Sequence, residues 1–181
     1  MIAELHNKLP PELVNSEDLL TGNFFGTLRY TNLHLTLPYI LKNTYFKLDK
    51  HREILTNSLK EMPGEVELFK FWPIYKGDEI DLIVELPKYV IGIEVKYHSG
   101  LSSDDFISLY QFNPEIISCH QLARYSKMLI KEFPEHQIIL IYLAKESRAR
   151  SVYNDTLNRN LIDSEKIAFG VLSWQDIYTA I

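Results

Sequence analysis

The sequence has a single cysteine, Cys119, only 7 glycines and 8 prolines in 181 residues, and no apolar run longer than Ile138–Ala144. A lone cysteine closes no internal disulfide, so a reducing, cytoplasmic setting is expected. Sparse glycine and proline beside 46% hydrophobic residues exclude a disordered chain. Ile138–Ala144 falls far short of the roughly 20 residues that cross a bilayer, so no membrane span is expected. Nor is a secretory leader, because Met1–Leu13 is interrupted by Glu4, His6, Lys8 and the Pro10–Pro11 pair. Basic charge is also in short supply: 19 Lys and Arg against 24 Asp and Glu leave a net charge of −5. That excludes a histone-like, tail-driven nucleic-acid binder. It leaves room for a local basic groove, since phosphate contacts need only a few placed side chains.

Several chemical signatures are missing as well. There is no Walker-type phosphate loop, no Gly-x-Gly-x-x-Gly and no Gly-x-Ser-x-Gly elbow, so nucleotide-driven, dinucleotide and elbow-serine chemistry have no footing. The six histidines show no zinc spacing, and one cysteine excludes a cysteine-rich zinc site. No repeat, low-complexity tract or Gly/Ser linker divides the chain. It reads as one domain over residues 1–181, with Met1–Val14 loosely held.

What is present is a clear succession of periodic segments. Asn15 or Ser16 is expected to cap a helix opening with Glu17 and Asp18, whose carboxylates suit the positive end of the helix dipole. At 100° per residue, Leu20, Thr21, Phe24, Phe25 and Leu28 share one face, with Glu17 near its middle and Asp18 at its edge. A second helical stretch is expected within Pro38–Lys60. Val66–Tyr75, Ile80–Leu86 and Val90–His98 read as an antiparallel meander. Pro73 puts the first of these at an edge, and Lys76–Gly77–Asp78 and Pro87–Lys88 supply turns. A helix over Pro114–Lys131, a buried strand at Ile138–Ala144, a helix within Arg150–Asn160, a strand at Ile167–Leu172 and a last helix capped by Ser173 complete the order. The fold class is α/β, a mixed central sheet flanked by helices.

Three residues carry the sharpest chemical signal. Glu94 and Lys96 are two apart on a strand, so their side chains leave the same face. A tight return at Pro87–Lys88 brings Asp81, at the start of the preceding strand, beside Glu94. Two converging carboxylates repel, and a hard divalent ion relieves that cost. Mg²⁺ favours one or two carboxylates together with waters and phosphate oxygens, and Mn²⁺ is expected to substitute for it. A neighbouring lysine can orient or deprotonate an attacking water, or stabilise charge on a phosphate. The competing reading is a solvated outer face on a half-buried strand, where such an ion pair is worth under about 1 kcal/mol. His98 shares the Lys96 face, as a neighbour of the site or as a satisfied histidine. Asp78 and Glu79 read as solvated turn residues. Lys145, Arg148 and Arg150 form the best local basic cluster, as phosphate contacts or as a solvated helix start.

Ile80-Asp81, followed thirteen residues on by Glu94-Val95-Lys96 across a strand–turn–strand and after an acidic first helix, resembles the PD-(D/E)XK nuclease superfamily with its restriction endonuclease-like fold. Gln121-Leu122-Ala123-Arg124-Tyr125 is similar to the Gln-x-x-x-Tyr motif of the branch holding RecB-type and lambda-type exonucleases, and residues four apart share a helix face. The resemblance runs from about Ser16 to Ala144, departing from the motif where Ile80 stands in place of proline. It implies a nuclease that hydrolyses DNA phosphodiesters with Mg²⁺, its metal binding by Asp81, Glu94 and the Val95 carbonyl. By the same resemblance Lys96 serves the nucleophilic water, Glu17 or Asp18 supports the metal or a second one, Gln121 steadies the site, and Tyr125 contacts it or the DNA backbone.

Blander roles compete at each of these positions: a dipole-satisfying acid for Glu17, an exposed polar residue for Gln121, packing for Tyr125. For the whole chain two other assignments stay open. One is a catalytically silent nuclease-fold module that binds DNA or assists a partner protein; the other is an unrelated α/β protein whose three charged residues diverge. Cutting two strands with one centre per chain points to a homodimer. RNA as substrate, and exo- against endonuclease action, stay open.

Overall fold

The most apolar strands are buried over almost their whole length, and strands of that kind need helices on both sides. The computed structural model describes residues 17–62, 69–97, 100–104 and 120–180. Helices α1 (Glu17–Leu28), α2 (Leu33–Leu41) and α3 (Asp49–Lys60) come first. Five strands follow: β1 (Phe69–Phe71), β2 (Ile74–Tyr75), β3 (Asp78–Glu79), β4 (Leu82–Glu85) and β5 (Tyr89–Val95). Then come α4 (Gln121–Glu132), β6 (Gln137–Ala144), α5 (Glu146–Asn158), β7 (Ile167–Ser173) and α6 (Trp174–Ala180).

The main sheet has the order β1-β4-β5-β6-β7. Its first three strands are antiparallel and its last three parallel, so it is the mixed sheet the sequence predicts. On one face Phe25, Leu37, Leu41, Leu55 and Ile177 from α1, α2, α3 and α6 pack against Ile91, Ile93, Ile139 and Leu143. On the other, Leu122, Leu129 and Tyr153 from α4 and α5 pack against Val90, Leu140, Tyr142 and Phe169. The contact of α4 is close because β5 carries Gly92 at the crossing. A Cβ there would lie 2.9 Å from Leu129 Cδ1 and from Ile80 Cδ1. Both parallel crossovers, through α4 and α5, cover this face, as they must when the sheet advances strand by strand with one hand.

Local chemistry shifts several boundaries. The expected strand Val66–Tyr75 is broken: Trp72 takes a positive φ of 46° before Pro73, so β1 ends at Phe71 and Ile74–Tyr75 pairs with Asp78–Glu79 instead. Residues 63–68 lie outside the described ones. Lys76 (φ 52°) and Gly77 (φ 92°) both adopt positive φ, the requirement of a two-residue type I′ hairpin. β1 is the edge strand, as Pro73 indicates. Pro38–Lys60 holds the end of one helix and the whole of another, separated by Lys42–Leu48, where Tyr45 bridges to Val171 on β7. That bridge covers part of an otherwise open edge. Of the helix expected over Pro114–Lys131, the part from Gln121 onward is seen as α4, and 105–119 lie outside the described residues. The helix placed within Arg150–Asn160 starts earlier, at Glu146. Ser173 caps α6 as expected: its Oγ accepts from the Asp176 amide (2.9 Å), and Asp176 Oδ2 accepts from the Ser173 amide (3.1 Å), a reciprocal capping box. The caps proposed at Asn15 or Ser16 lie outside the described residues, as does His98.

Candidate active site

The β4–β5 register builds the centre. Leu82 pairs with Ile93 and Glu85 with Val90. Continued by one residue, that ladder sets Asp81 opposite Glu94, and directly opposed residues of an antiparallel pair share a face. Asp81 itself lies in a bend before β4. Although partly exposed as a residue, it turns its carboxylate inward, where Oδ2 accepts from the Val95 amide at 2.7 Å. Glu94 is 2% exposed. A solvated outer face is therefore not what these residues form, because α4 lies over it. The three charged side chains converge.

Glu94 Oε1 receives two donors, Lys96 Nζ at 2.7 Å and Gln121 Nε2 at 2.7 Å. Gln121 also donates to the Tyr125 hydroxyl at 2.9 Å, and its own Oε1 accepts from the Ser102 amide at 2.9 Å. Tyr125 in turn donates to the Glu79 carbonyl. The amide of Gln121 is thus held in one orientation from both ends, and the pair four residues apart on α4 ties the helix to Glu94 and to the β2–β3 hairpin. Arg124 adds a second tie, with Nε 3.1 Å from Asp78, which is a helix partner more than a free turn residue. Neither Gln121 nor Tyr125 is exposed.

Electrostatics follow from this enclosure. Burial pushes the Asp81 carboxyl up to about 6; the Lys96 ammonium and the Val95 amide pull the other way, Asp18 adds to the rise, and the hydrogen bond with Glu94 opposes it. Glu94 is raised well above the carboxylate range by burial first and then by Asp81, against the pull of Lys96. The hydrogen bond between the two acids lowers one and raises the other, so their shared proton resides on Glu94. Burial works against the charged form of Lys96. The Glu94, Asp81 and Glu17 charges outweigh it and hold the ammonium protonated above the usual lysine range.

The first helix reaches the same place. Glu17 Oε1 accepts from the Tyr97 amide (2.8 Å), and Oε2 lies 3.7 Å from Lys96 Nζ. Asp18 raises Asp81 by its charge, so both acids opening α1 face the centre, Glu17 toward the lysine and Asp18 toward the aspartate.

The expected basic cluster divides. α5 begins at Glu146, so Arg148 and Arg150 sit about 200° apart around it and leave in different directions. Arg150 stacks on Tyr45, its Cζ 3.7 Å from the ring centroid. Lys145 lies over the Tyr97 ring, its Nζ 4.5 Å from the centroid, next to Lys96 in sequence. Arg148 lines a cleft of about 430 Å³ with Gly100, Leu101, Asp104, Ser147 and Ser151. Lys145 and Arg148 thus border the centre and Arg150 does not.

Two contributors escaped the sequence reading. Trp174 Nε1 donates to the Lys96 carbonyl (3.1 Å), fixing the backbone just beyond β5. Tyr142 pairs with Glu94 across β5 and β6, and the signal available for it was an aromatic hydroxyl inside the otherwise aliphatic run Ile138–Ala144.

Among the described residues a second set, Asp104, His120 and Asp155, brings one ligand atom each within 4.8 Å of the others. Arg159 Nη1 already bridges its two carboxylates, 2.9 Å from Asp104 Oδ1 and 3.0 Å from Asp155 Oδ2. A guanidinium occupies the place a cation would take there. At Asp81 and Glu94 the donors engage Oδ2 and Oε1 only, leaving one oxygen of each acid for a shared proton or an ion. These groups stand at the C-terminal ends of β5 and β6, where parallel sheets commonly bind ligands.

No curated protein and no solved structure matches the chain. Residues 53–148, just over half its length, match the DUF4143 family, a domain of unknown function. That segment contains Asp81, Glu94, Lys96, Gln121 and Tyr125, while Glu17 lies ahead of it. The chain belongs to the DUF4143 family.

Proposed function

We propose that this chain is a metal-dependent nuclease that hydrolyses DNA phosphodiester bonds, on a restriction endonuclease-like variant of its α/β fold. One observation carries the reading: two buried carboxylates, Asp81 and Glu94, share a proton beside the Lys96 ammonium. Such a pair is costly as a purely structural device, and a hard divalent cation relieves it better than a proton does. The donor set fits Mg²⁺ or Mn²⁺: oxygen ligands, hard and few, with room for water and phosphate oxygens. The uncommitted oxygens of Asp81 and Glu94 and the Val95 carbonyl would hold the ion, with Glu17 supporting it. When bound, it supplies Lewis-acid stabilisation of phosphate charge and a more acidic water.

The remaining work belongs to the chain itself. Lys96 enters as a cation, placed by Glu94 to orient the nucleophile and stabilise charge on the phosphate. Gln121 holds Glu94 in one orientation, and Tyr125 holds Gln121. Lys145 and Arg148 flank the centre as contacts for the strand's backbone.

Purified protein with Mg²⁺ or Mn²⁺ is expected to cleave single-stranded, double-stranded or branched DNA. Lys96→Ala and Asp81→Ala should each reduce the rate by more than about a hundredfold, with the far-ultraviolet circular dichroism spectrum unchanged. Cleavage persisting in either variant would falsify the assignment. Binding without cleavage on all three substrates would instead identify a silent module.

A further inference from the structure

Tyr142 is fully buried in the middle of the sheet, and its hydroxyl has no hydrogen-bond partner among the described residues. An unsatisfied buried hydroxyl destabilises a fold, so it calls for an explanation. Several threonine hydroxyls are in the same position, but a threonine can turn its short side chain to a nearby backbone carbonyl. The phenol of Tyr142 is held by a ring locked between strands. Its register partner on β5 is Glu94. The charges acting on it are those of Lys96, Arg148, Glu94 and Glu17, so it sits where the acidic centre meets α5. Arg148 is exposed and lies against Gly100, across the cleft from the loop that follows Lys96. The one acid lining that cleft, Asp104, is paired with Arg159.

A hydroxyl and a guanidinium converging beside two carboxylates make donors for an anion, not ligands for a cation. We infer that the Tyr142 hydroxyl and Arg148 form a phosphate-oxygen subsite, which takes a backbone phosphate of the nucleic-acid strand adjoining the Asp81–Glu94 centre. The identity of the strand rests on the nuclease reading above; the anion subsite itself does not.

Calorimetric titration of the full chain with inorganic phosphate and with the dinucleotide dTpdT tests it. The comparison is among the parent protein, Tyr142→Phe and Arg148→Gln. Each substitution should weaken both ligands by about tenfold, the loss of one hydrogen bond to a charged group. Mn²⁺ affinity should stay within about twofold of the parent, since neither residue is an ion ligand. The melting temperature of Tyr142→Phe should stay level or rise, because an unsatisfied polar atom has gone. Unchanged phosphate affinity in Tyr142→Phe overturns the subsite. So does unchanged affinity in Arg148→Gln, whose exposed position keeps folding out of the comparison. Phosphate binding with this variant pattern but no DNA cleavage would leave the subsite standing and remove the nuclease. Cleavage with variant-insensitive phosphate binding would do the reverse.

Discussion

Asp81 stores the most legible free energy in the molecule. Its carboxyl titrates near 6 in the folded chain against 3.8 for an ordinary aspartate. A raised carboxyl stabilises the fold fully below the lower value, and that stability is lost as pH rises through the higher one. The shift of about two pH units corresponds to about 3 kcal/mol. Asp81→Asn removes the charge and keeps an oxygen to accept from the Val95 amide. In metal-free buffer it should therefore be indistinguishable from the parent near pH 3.5 and more stable by about 2–3 kcal/mol above pH 7. Urea unfolding at several pH values reads that difference directly. A constant offset across the range would mean that Asp81 is not the group under strain. Lys96→Met should act in the opposite direction, because it strips the cation from a nearly buried Glu94.

At the scale of elements, the site depends on how closely α4 lies over β5. Gly92 sets that distance, with Leu129 and Ile80 in the space a side chain would need. Both obstructing atoms are the ends of flexible side chains, so Gly92→Ala should cost only about 1 kcal/mol. Gly92→Val adds branching that those ends cannot absorb. It should cost about 1–3 kcal/mol and lift the first turn of α4, breaking the Gln121–Glu94 hydrogen bond. If Gln121 positions Glu94 as argued, DNA cleavage in Gly92→Val falls much further than its stability does, whereas Gly92→Ala remains near the parent. Equal activities in the two variants would show that α4 only packs.

The whole molecule couples the centre to its stability. An ion that binds the folded chain and not the unfolded one adds about 2.7 kcal/mol at a hundred times its dissociation constant. For a chain of this length each kcal/mol moves the melting temperature by roughly 2–4 °C. Saturating Mn²⁺ at pH 7.5 should raise the midpoint by about 5–10 °C in the parent and by less than about 2 °C in Asp81→Asn. A parent midpoint indifferent to Mn²⁺ argues against a divalent site at the carboxylates. Glu17, on the opposite layer from Gln121, should contribute a smaller share, because it reaches the centre through the Tyr97 amide and Lys96.

The sequence by itself determined the α/β order of elements, the meander, and the opposition of Asp81 and Glu94. All of these follow from periodicity, turn chemistry and a short return near Pro87, which are local. Asp81 and Glu94 are separated by one hairpin, so their register could be counted along the chain. It could not determine that Glu94 is buried. A charged residue on an alternating strand looks the same whether water or a helix covers it, and the covering helix begins at Gln121, across a segment with no periodic constraint tying it to β5. The boundary of α5 decided that Lys145 and Arg148 border the centre while Arg150 turns to Tyr45. Tyr142 met Glu94 only through parallel pairing, which joins residues far apart in sequence by a crossover. Tertiary structure alone settled those placements, because each depends on which layer lies over which face of the sheet.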